Sequence, residues 1–316
     1  MANMNQFKSS IDDYNYACSL AQDEHFWDLG VEYFRKSFKD KFARFPTPPN
    51  SNLITRIHSF NREGDDIKIK IYKDKSRQMR IGGDKCIVYG HGGGFIGGGF
   101  EVVDGICQDF VFDLGITVIA IDYRGAPEYP HPTAPLDILA GVLHVRDYAQ
   151  EYGIDPNEIF IGGESSGGCF AVSIPLMLRD YKIPQVAGII SINPVLNTHR
   201  WANRQFHECS KEWQDEMYFF TNTYLACNQQ ILPEYASPLM TSDVSGLPPA
   251  VFFAAKSDPL CEDAKEMHSR LISAGINSHI HIDEYALHGS IRARHYYIFA
   301  RNAYIALLDA VKKIME

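Results

Sequence analysis

The feature that most constrains the fold of this chain is a rhythm of short apolar runs separated by helix-length segments, which begins near residue 85. The runs occupy residues 86–89, 116–121, 158–161, 186–192 and 250–255, and a final run at 278–285 alternates in character. Runs that are apolar on both faces are typical of parallel strands covered on each side by helices. The sequence therefore predicts an α/β fold with a mostly parallel central sheet. In such a sheet, functional residues lie just beyond the carboxyl ends of strands.

Other segments fall outside this rhythm. Residues 53–60 and 67–72 alternate, which suits antiparallel strands with one face solvated. The first forty-odd residues and residues 197–236 are rich in aromatic side chains and carry no strand signal. We predict a single domain over residues 1–316, with cap elements at approximately 1–50 and 197–236. Aromatic residues at helical spacing also leave open ordinary packing of these helices against the core.

Composition excludes several classes of partner. The 316 residues carry a formal net charge of −9, and the Lys and Arg residues form no block. The chain therefore lacks the electrostatic footprint expected for nucleic acid or an anionic membrane surface. No apolar run is long enough to span a membrane, and the first ten residues do not resemble a secretory signal. The seven cysteines include no C-x-x-C pair, so we expect a reducing, cytoplasmic location. An acidic surface with a nonpolar aromatic interior suits a small neutral substrate.

A nucleophile candidate lies where one of the buried runs stops. Residues 162–168 read GGESSGG, between the run at 158–161 and a helical stretch, and contain G-x-S-x-G in one frame. That frame selects Ser165 rather than Ser166. Glycines on either side of the serine remove the Cβ atoms that would collide in a tight strand-to-helix turn. The pattern alone is common; its position between a strand and a helix makes it specific.

A glycine run upstream also follows a strand. Residues 91–95 read HGGGF, and their backbone N–H groups can turn toward a ligand without interference from side chains. The N–H groups of Gly92, Gly93 and Ser166 are candidates for stabilising a tetrahedral oxyanion. A phosphate-binding loop is the alternative, but the chain has no accompanying nucleotide-binding motif. We expect His91 to brace the loop rather than take part in catalysis.

A nucleophilic serine needs a base, and the base needs an orienting acid. His288 lies between the last predicted strand and the C-terminal helix, and Asp258 lies where the run at 250–255 stops. The order Ser165, Asp258, His288 is the order of α/β-hydrolases. Asp258 is also a candidate helix N-cap with a proline after it. His279 and His281 make a two-histidine metal site conceivable, but a solvated edge face fits better because no third ligand is evident.

The motifs together resemble one enzyme family. They read HGGGF at 91–95, DYRGAPE at 122–128, GESSGG at 163–168, DPL at 258–260 and HG at 288–289. Over roughly residues 80–310, they are similar to the hormone-sensitive-lipase-like family of esterases, and more narrowly to bacterial acetyl esterases. The resemblance implies an α/β-hydrolase fold, short-chain acyl esters as substrates, and structural roles for Arg124 and Glu128.

Three positions depart from the family pattern. Gly125 stands where leucine is usual, which is expected to loosen the turn. Ser166 replaces alanine but keeps the backbone donor. Ser290 replaces the phenylalanine that usually follows the His-Gly pair, which is expected to open or rehydrate the pocket near His288.

The expected activity is ester hydrolysis by the triad Ser165, His288 and Asp258, with an oxyanion hole at Gly92, Gly93 and Ser166 and no metal or organic cofactor. An amidase or a deacetylase of a larger acylated molecule shares this chemistry and stays open. So does a catalytically silent ligand-binding protein on the same fold. A homodimer is expected through the edge of the last strand.

Overall fold

The computed structural model describes residues 7–14, 25–78, 80–205, 209–226 and 233–316. Within these residues, eight strands form a single sheet in the order β1-β2-β4-β3-β5-β6-β7-β8. The strands are β1 (Leu53–Arg62), β2 (Asp65–Asp74), β3 (Asp84–Gly90), β4 (Thr117–Asp122), β5 (Ile154–Glu164), β6 (Gly188–Ile192), β7 (Ala250–Ala255) and β8 (Ser278–Asp283).

The pairing directions follow the sequence pattern. β2 runs antiparallel to both β1 and β4, whereas all pairs from β4 to β8 are parallel. Residues 250–255 are apolar on both faces, and every residue of β7 is buried. The prediction of a mostly parallel sheet is therefore confirmed.

The last strand is shorter than the predicted run at 278–285. β8 ends at Asp283 because that side chain turns the chain: its Oδ1 accepts hydrogen bonds of 2.8 Å from the N–H groups of Tyr285 and Ala286. The alternating pattern continued for two residues into this turn.

Helices cover both faces of the sheet. The helices are α1 (Phe26–Leu29), α2 (Val31–Phe42), α3 (Phe100–Leu114), α4 (Thr133–Asp147), α5 (Ser166–Asp180), α6 (Thr198–Ala202), α7 (Lys211–Leu225), α8 (Cys261–Ser273) and α9 (Ile298–Met315). Helices α4, α5 and α8 share one hydrophobic cluster with the sheet, and α3 and α9 share another. Adjacent residues of one strand divide between the clusters, as Ile87 and Val88 do, because successive side chains of a strand point to opposite faces.

Helices from the two predicted cap regions pack against each other through aromatic rings. Phe220 of α7 lies 5.3 Å from Phe26 of α1 and 4.9 Å from Phe34 of α2, measured between ring centroids. Residues 1–6, 15–24, 206–208 and 227–232 of those regions lie outside the described residues. The division of the domain into a core and a cap stays a prediction.

Among the described residues, no helix is both long and apolar enough to cross a membrane.

Candidate active site

Ser165 occupies a sharp turn between β5 and α5. Its backbone φ is 59° and ψ is −117°, and its N–H donates a 2.8 Å hydrogen bond to the carbonyl of Ile192. A positive φ is unusual for a residue with a side chain and marks a strained turn. A Cβ on Gly163 would lie 2.4 Å from the Gly167 carbonyl oxygen, and a Cβ on Gly167 would lie 2.1 Å from that of Gly90. The two glycines of the motif are therefore required by backbone contact.

His288 and Asp258 reach Ser165 from two separate loops. The Ser165 Oγ lies 3.1 Å from His288 Nε2, and His288 Nδ1 lies 2.6 Å from Asp258 Oδ2. The second carboxylate oxygen of Asp258, Oδ1, accepts a 2.9 Å hydrogen bond from the N–H of Leu260. The Asp258 side chain is 1% exposed and that of His288 is 24% exposed. The structure therefore brings together the three residues that the sequence selected.

Asp258 is not a helix N-cap. Helix α8 begins at Cys261, with Leu260 in the cap position, so Asp258 and the following proline lie in a turn before the helix. The turn leaves one carboxylate oxygen for the backbone and one for His288.

Opposing effects determine the pKa of His288. Burial is the largest influence and lowers the pKa of the imidazole. The charge and hydrogen bond of Asp258 raise the pKa, and the carboxylates of Glu164 and Glu216 act in the same direction. The net result is a pKa above the ordinary value of 6.5. An imidazole in this environment can take a proton from Ser165 and is stabilised in its cationic form by Asp258.

The predicted oxyanion donors lie next to Ser165. Neither Gly92 nor Gly93 donates its backbone N–H to another described residue. Ser166 is the first residue of α5, where backbone N–H groups have no partner within the helix. A Cβ on Gly92 would lie 3.0 Å from the Glu164 carbonyl oxygen, so the glycine loop packs directly on the serine turn. The arrangement offers donors to an anionic oxygen near Ser165.

His91 packs beneath the glycine loop. Its ring stacks on that of Tyr123 with centroids 3.9 Å apart, and its Nδ1 lies 2.9 Å from the Gly92 carbonyl oxygen. The hydroxyl of Tyr123 donates a 2.7 Å hydrogen bond to the His91 carbonyl. Burial lowers the pKa of His91. These contacts suit the bracing role expected from the sequence.

Arg124 and Glu128 form ion pairs away from Ser165. Arg124 donates to both carboxylate oxygens of the fully buried Asp137, at 2.9 and 2.7 Å. Glu128 accepts hydrogen bonds of 2.9 and 2.6 Å from Arg35 of α2. Arg35 also donates to the carbonyl of Ile96, at 2.7 Å. The sequence pattern did not single out Arg35, which ties α2 to the end of the glycine loop.

One expectation about the departures from the family pattern, that of a pocket opened at Ser290, is wrong, whereas the expected loosening of the turn at Gly125 stays a prediction. Ser290 is 1% exposed and does not line the cavity around Ser165. Its hydroxyl accepts a 3.1 Å hydrogen bond from the Leu287 N–H, so it closes the His288 loop instead of opening the pocket. The turn at Gly125 is held by two hydrogen bonds of 3.0 Å, from Ala126 to the Phe95 carbonyl and from Tyr129 to that of Gly125.

A cavity of about 100 Å³ contains Ser165 and His288. Residues from α1, α2 and α7 form its aromatic side, and Lys41, Glu164, Glu216 and Arg292 contribute charged groups. Trp213 lies edge-on to His288 with ring centroids 6.0 Å apart. Sequence reasoning missed Lys41, Glu216 and Arg292 as residues of the site. The sequence does contain a pattern that predicts the position of Glu216 on its helix, since Trp213, Glu216 and Phe220 follow the i, i+3, i+7 spacing of one helix face.

A larger cavity of about 510 Å³ lies beside the first. The two share Phe42, Glu164 and Arg292 in their walls, but Ser165 and His288 line only the smaller one. Among the described residues, no group of three or more His, Cys, Asp or Glu side chains is arranged to hold a metal ion. His281 instead lies 3.7 Å from Asp283 and stacks on Phe253.

Comparison with known proteins places the chain in a family. Residues 87–292 match a family model described as alpha/beta hydrolase fold. The chain belongs to this family. Among solved structures, a bacterial heroin esterase superposes with a TM-score of 0.85 at 24% identity, covering 99% of each chain. At that identity the likeness bears on the fold alone.

Curated relatives of this α/β-hydrolase are named as esterases. An arylesterase of Saccharolobus solfataricus is 28% identical over 70% of this chain and 72% of its own length. An ethyl acetate hydrolase of Pseudomonas putida is 26% identical over 78% of this chain and 79% of its own length. The predicted membership of an α/β-hydrolase esterase family, and with it the predicted fold, is confirmed.

Proposed function

We propose that this α/β-hydrolase cleaves short-chain carboxylic esters, acetyl esters among them, through an acyl-enzyme intermediate on Ser165. The observation that carries the proposal is the set of hydrogen bonds that links Ser165 through His288 to the buried Asp258. The neighbouring glycine loop has backbone N–H groups that donate to no other described residue. The family and its named relatives support the more general conclusion that the protein is a serine carboxylesterase.

In the proposed mechanism, His288 takes the proton of Ser165 as Oγ attacks the ester carbonyl carbon. Asp258 holds the imidazole in the required orientation and stabilises its cationic form. The N–H groups of Gly92, Gly93 and Ser166 bind the oxyanion of the tetrahedral intermediate. His288 then gives its proton to the leaving alcohol, and later activates the water that releases the acid from Ser165.

Short acyl groups are supported by the size of the site and by one relative. The cavity at Ser165 holds only about 100 Å³, which is below the usual range for sites that bind drug-sized ligands. The curated relative from Pseudomonas putida is named for hydrolysis of an acetate ester. The substrate that we propose is therefore an ester with a short acyl group, and no nucleic acid or membrane surface is required.

A panel of p-nitrophenyl esters from acetate to octanoate tests the proposal, combined with labelling by a fluorophosphonate. Ser165→Ala should lose hydrolysis and labelling. Ser166→Ala is the matched control, because its proposed contribution comes from the backbone N–H, and it should still be labelled. Undiminished hydrolysis by Ser165→Ala would overturn the proposal, and preference for octanoate would overturn its short-chain part.

The same assays separate the two rival functions. An anilide cleaved faster than the matching ester would identify an amidase or deacetylase. Absence of both turnover and labelling in a folded protein would identify a ligand-binding protein.

We also propose a homodimer formed through β8, which lies at the edge of the sheet and, within the described part of the chain, pairs only with β7. An exposed strand edge can pair with a symmetric copy, and lysine on such an edge opposes pairing. Light scattering should give twice the mass of one chain, and His279→Lys should give the monomer. A monomeric wild type at all concentrations would refute this prediction.

A further inference from the structure

Glu216 is a carboxyl group of the cavity that has no role in the mechanism. Glu216 lines the cavity that contains Ser165 and His288. No hydrogen bond or ion pair joins its carboxyl group to another described residue. Glu216 projects from α7 on the same face as Trp213 and Phe220, which line the same cavity.

We propose that Glu216 is a substrate-binding residue that selects esters carrying a cationic nitrogen near the ester group, such as esters of amino alcohols. This inference rests on the proposed function, since it names a substrate class for the same site.

The first argument is the free-energy cost of ionising Glu216 in the cavity. An ionised carboxyl group in an apolar environment is unfavourable unless a positive charge or a hydrogen-bond donor compensates it. Burial accordingly raises the pKa of Glu216 to about 7, while His288 and Lys41 act in the opposite direction and Asp258 adds to the rise. A cationic ligand beside Glu216 would supply the missing compensation, so its binding should release the proton that the empty site retains.

The second argument is the aromatic surroundings. A cation is attracted to the face of an aromatic ring, most strongly to that of tryptophan, and aromatic cages recognise substituted ammonium groups. Trp213 lies one turn before Glu216 on α7, and Phe220 lies one turn after it. A carboxylate between two aromatic side chains combines charge attraction with a surface suited to an alkylated ammonium.

The two cationic side chains of the cavity have other partners. Arg292 stacks on Phe42 at 4.9 Å from the ring centroid and donates a 2.8 Å hydrogen bond to the Gly289 carbonyl. Lys41 also has an interaction partner within the protein. Both cations therefore have other partners, whereas the Glu216 carboxyl group has no hydrogen bond or ion pair with another described residue. A second carboxylate, Glu164, lines the same cavity, and its Oε1 has no hydrogen-bond partner among the described residues. It directly precedes Ser165 in the strained turn, so Glu216 is the carboxylate that can be substituted without disturbing the nucleophile.

Binding to a Ser165→Ala background tests the inference without any need for turnover. Acetylcholine and 3,3-dimethylbutyl acetate have the same shape and differ in the cationic nitrogen. Acetylcholine should bind at least about tenfold more tightly, which is within the range of a cation–π contact combined with charge attraction. Adding Glu216→Gln should bring the ratio close to one. The matched control is Glu212→Gln, which removes one exposed carboxylate from the same helix outside the cavity and should keep the preference.

Calorimetry supplies a second readout. Titrations in two buffers of different ionisation enthalpy, slightly below the pKa of Glu216, should show proton release when acetylcholine binds. The release should be smaller with Glu216→Gln, in which only His288 of the same cavity still titrates in this range. Equal affinity for the two esters, or a preference that survives Glu216→Gln, would overturn the inference.

Kinetics on the enzyme with Ser165 intact then separates the two proposals. Hydrolysis of both esters with equal kcat/KM, unchanged by Glu216→Gln, overturns the substrate class and leaves the esterase standing. Selective, Glu216-dependent binding without hydrolysis of either ester upholds the role of Glu216 and overturns the esterase.

Discussion

The loops at the carboxyl edge of the sheet are held by their backbone, whereas the helices that face them are held by side chains. We call the first group the sheet-edge loops, residues 91–95, 163–168, 258–260 and 287–290, and the second the helical wall, α1, α2 and α7. In the sheet-edge loops, a Cβ on Gly167 would overlap a carbonyl oxygen, and the Ser165 N–H is fixed to Ile192. In the helical wall, contacts such as that of Phe34 with Phe220 are between rings.

This difference in how the two regions are held suggests that the sheet-edge loops carry out the chemistry and that the helical wall determines which substrates bind. Backbone positions can vary little without breaking the sheet, so the sheet-edge loops suit a fixed mechanism. Ring contacts tolerate exchange of one apolar side chain for another, so the helical wall can change substrate preference while the mechanism stays. Substitutions in the two regions should therefore affect different kinetic parameters.

The largest expected effect is that of Asp258→Asn in the sheet-edge loops. The amide keeps the shape of the side chain but no longer stabilises the cationic imidazole, so kcat should fall on the order of 10⁴-fold for every ester, with KM little changed. Steady-state kinetics over the ester panel measures this. Glu262→Gln, an exposed acid on α8, serves as the control. A loss smaller than tenfold would show that the chemistry does not depend on this loop.

Gly167→Ala should have the next largest effect, on stability. The added methyl group meets backbone atoms that cannot rotate away, so the free energy of unfolding should fall by about 3 kcal/mol or more. Gly90→Ala is the matched control, because a Cβ there would lie 3.6 Å from its nearest neighbours, an ordinary contact. Denaturant unfolding compares the two variants. Equal stability would contradict the claim that backbone contact fixes the serine turn.

Phe220→Leu in the helical wall should have a smaller effect of a different kind. The shorter side chain enlarges the cavity beside Gly94, so the ratio of kcat/KM for hexanoate over acetate should rise roughly tenfold, the range that one or two methylenes contribute. The value of kcat for acetate should stay within about tenfold of the wild type. Phe219→Leu, on the same helix but outside the cavity, should leave the ratio unchanged. A uniform loss for all esters would remove the distinction between the two regions.

The same contrast explains what the sequence could predict. The sheet-edge loops are encoded in short motifs, because a strained turn or a close backbone approach demands glycine at fixed spacing. Ser165, Asp258 and His288 were therefore found from local patterns, although 123 residues separate Ser165 from His288. Strand positions followed from apolar runs in the same way.

The helical wall could not be predicted at the same level. Helical spacing predicts that Phe34 and Phe220 are buried, but it does not predict which other element each side chain contacts. Whether Glu216 faces solvent or the cavity depends on how α7 docks, which no local pattern specifies. The link from Arg35 to Glu128 joins residues 93 positions apart and follows only from the tertiary fold.

The smallest expected effect tests whether the two regions are independent. Carboxylates raise the pKa of His288, and one of them, Glu216, comes from the helical wall. His288 must be neutral to act as a base, so kcat/KM should rise with pH through a midpoint above 6.5, the ordinary pKa of histidine. Glu216→Gln removes a negative charge that favours the cationic imidazole, and the midpoint should move downward, which increases activity on the acidic side. Glu212→Gln should not move it, because that side chain is exposed outside the cavity. A pH profile unchanged by Glu216→Gln would mean that the helical wall affects substrate binding but not the pKa of His288. A downward shift would show that one carboxylate of the helical wall affects both.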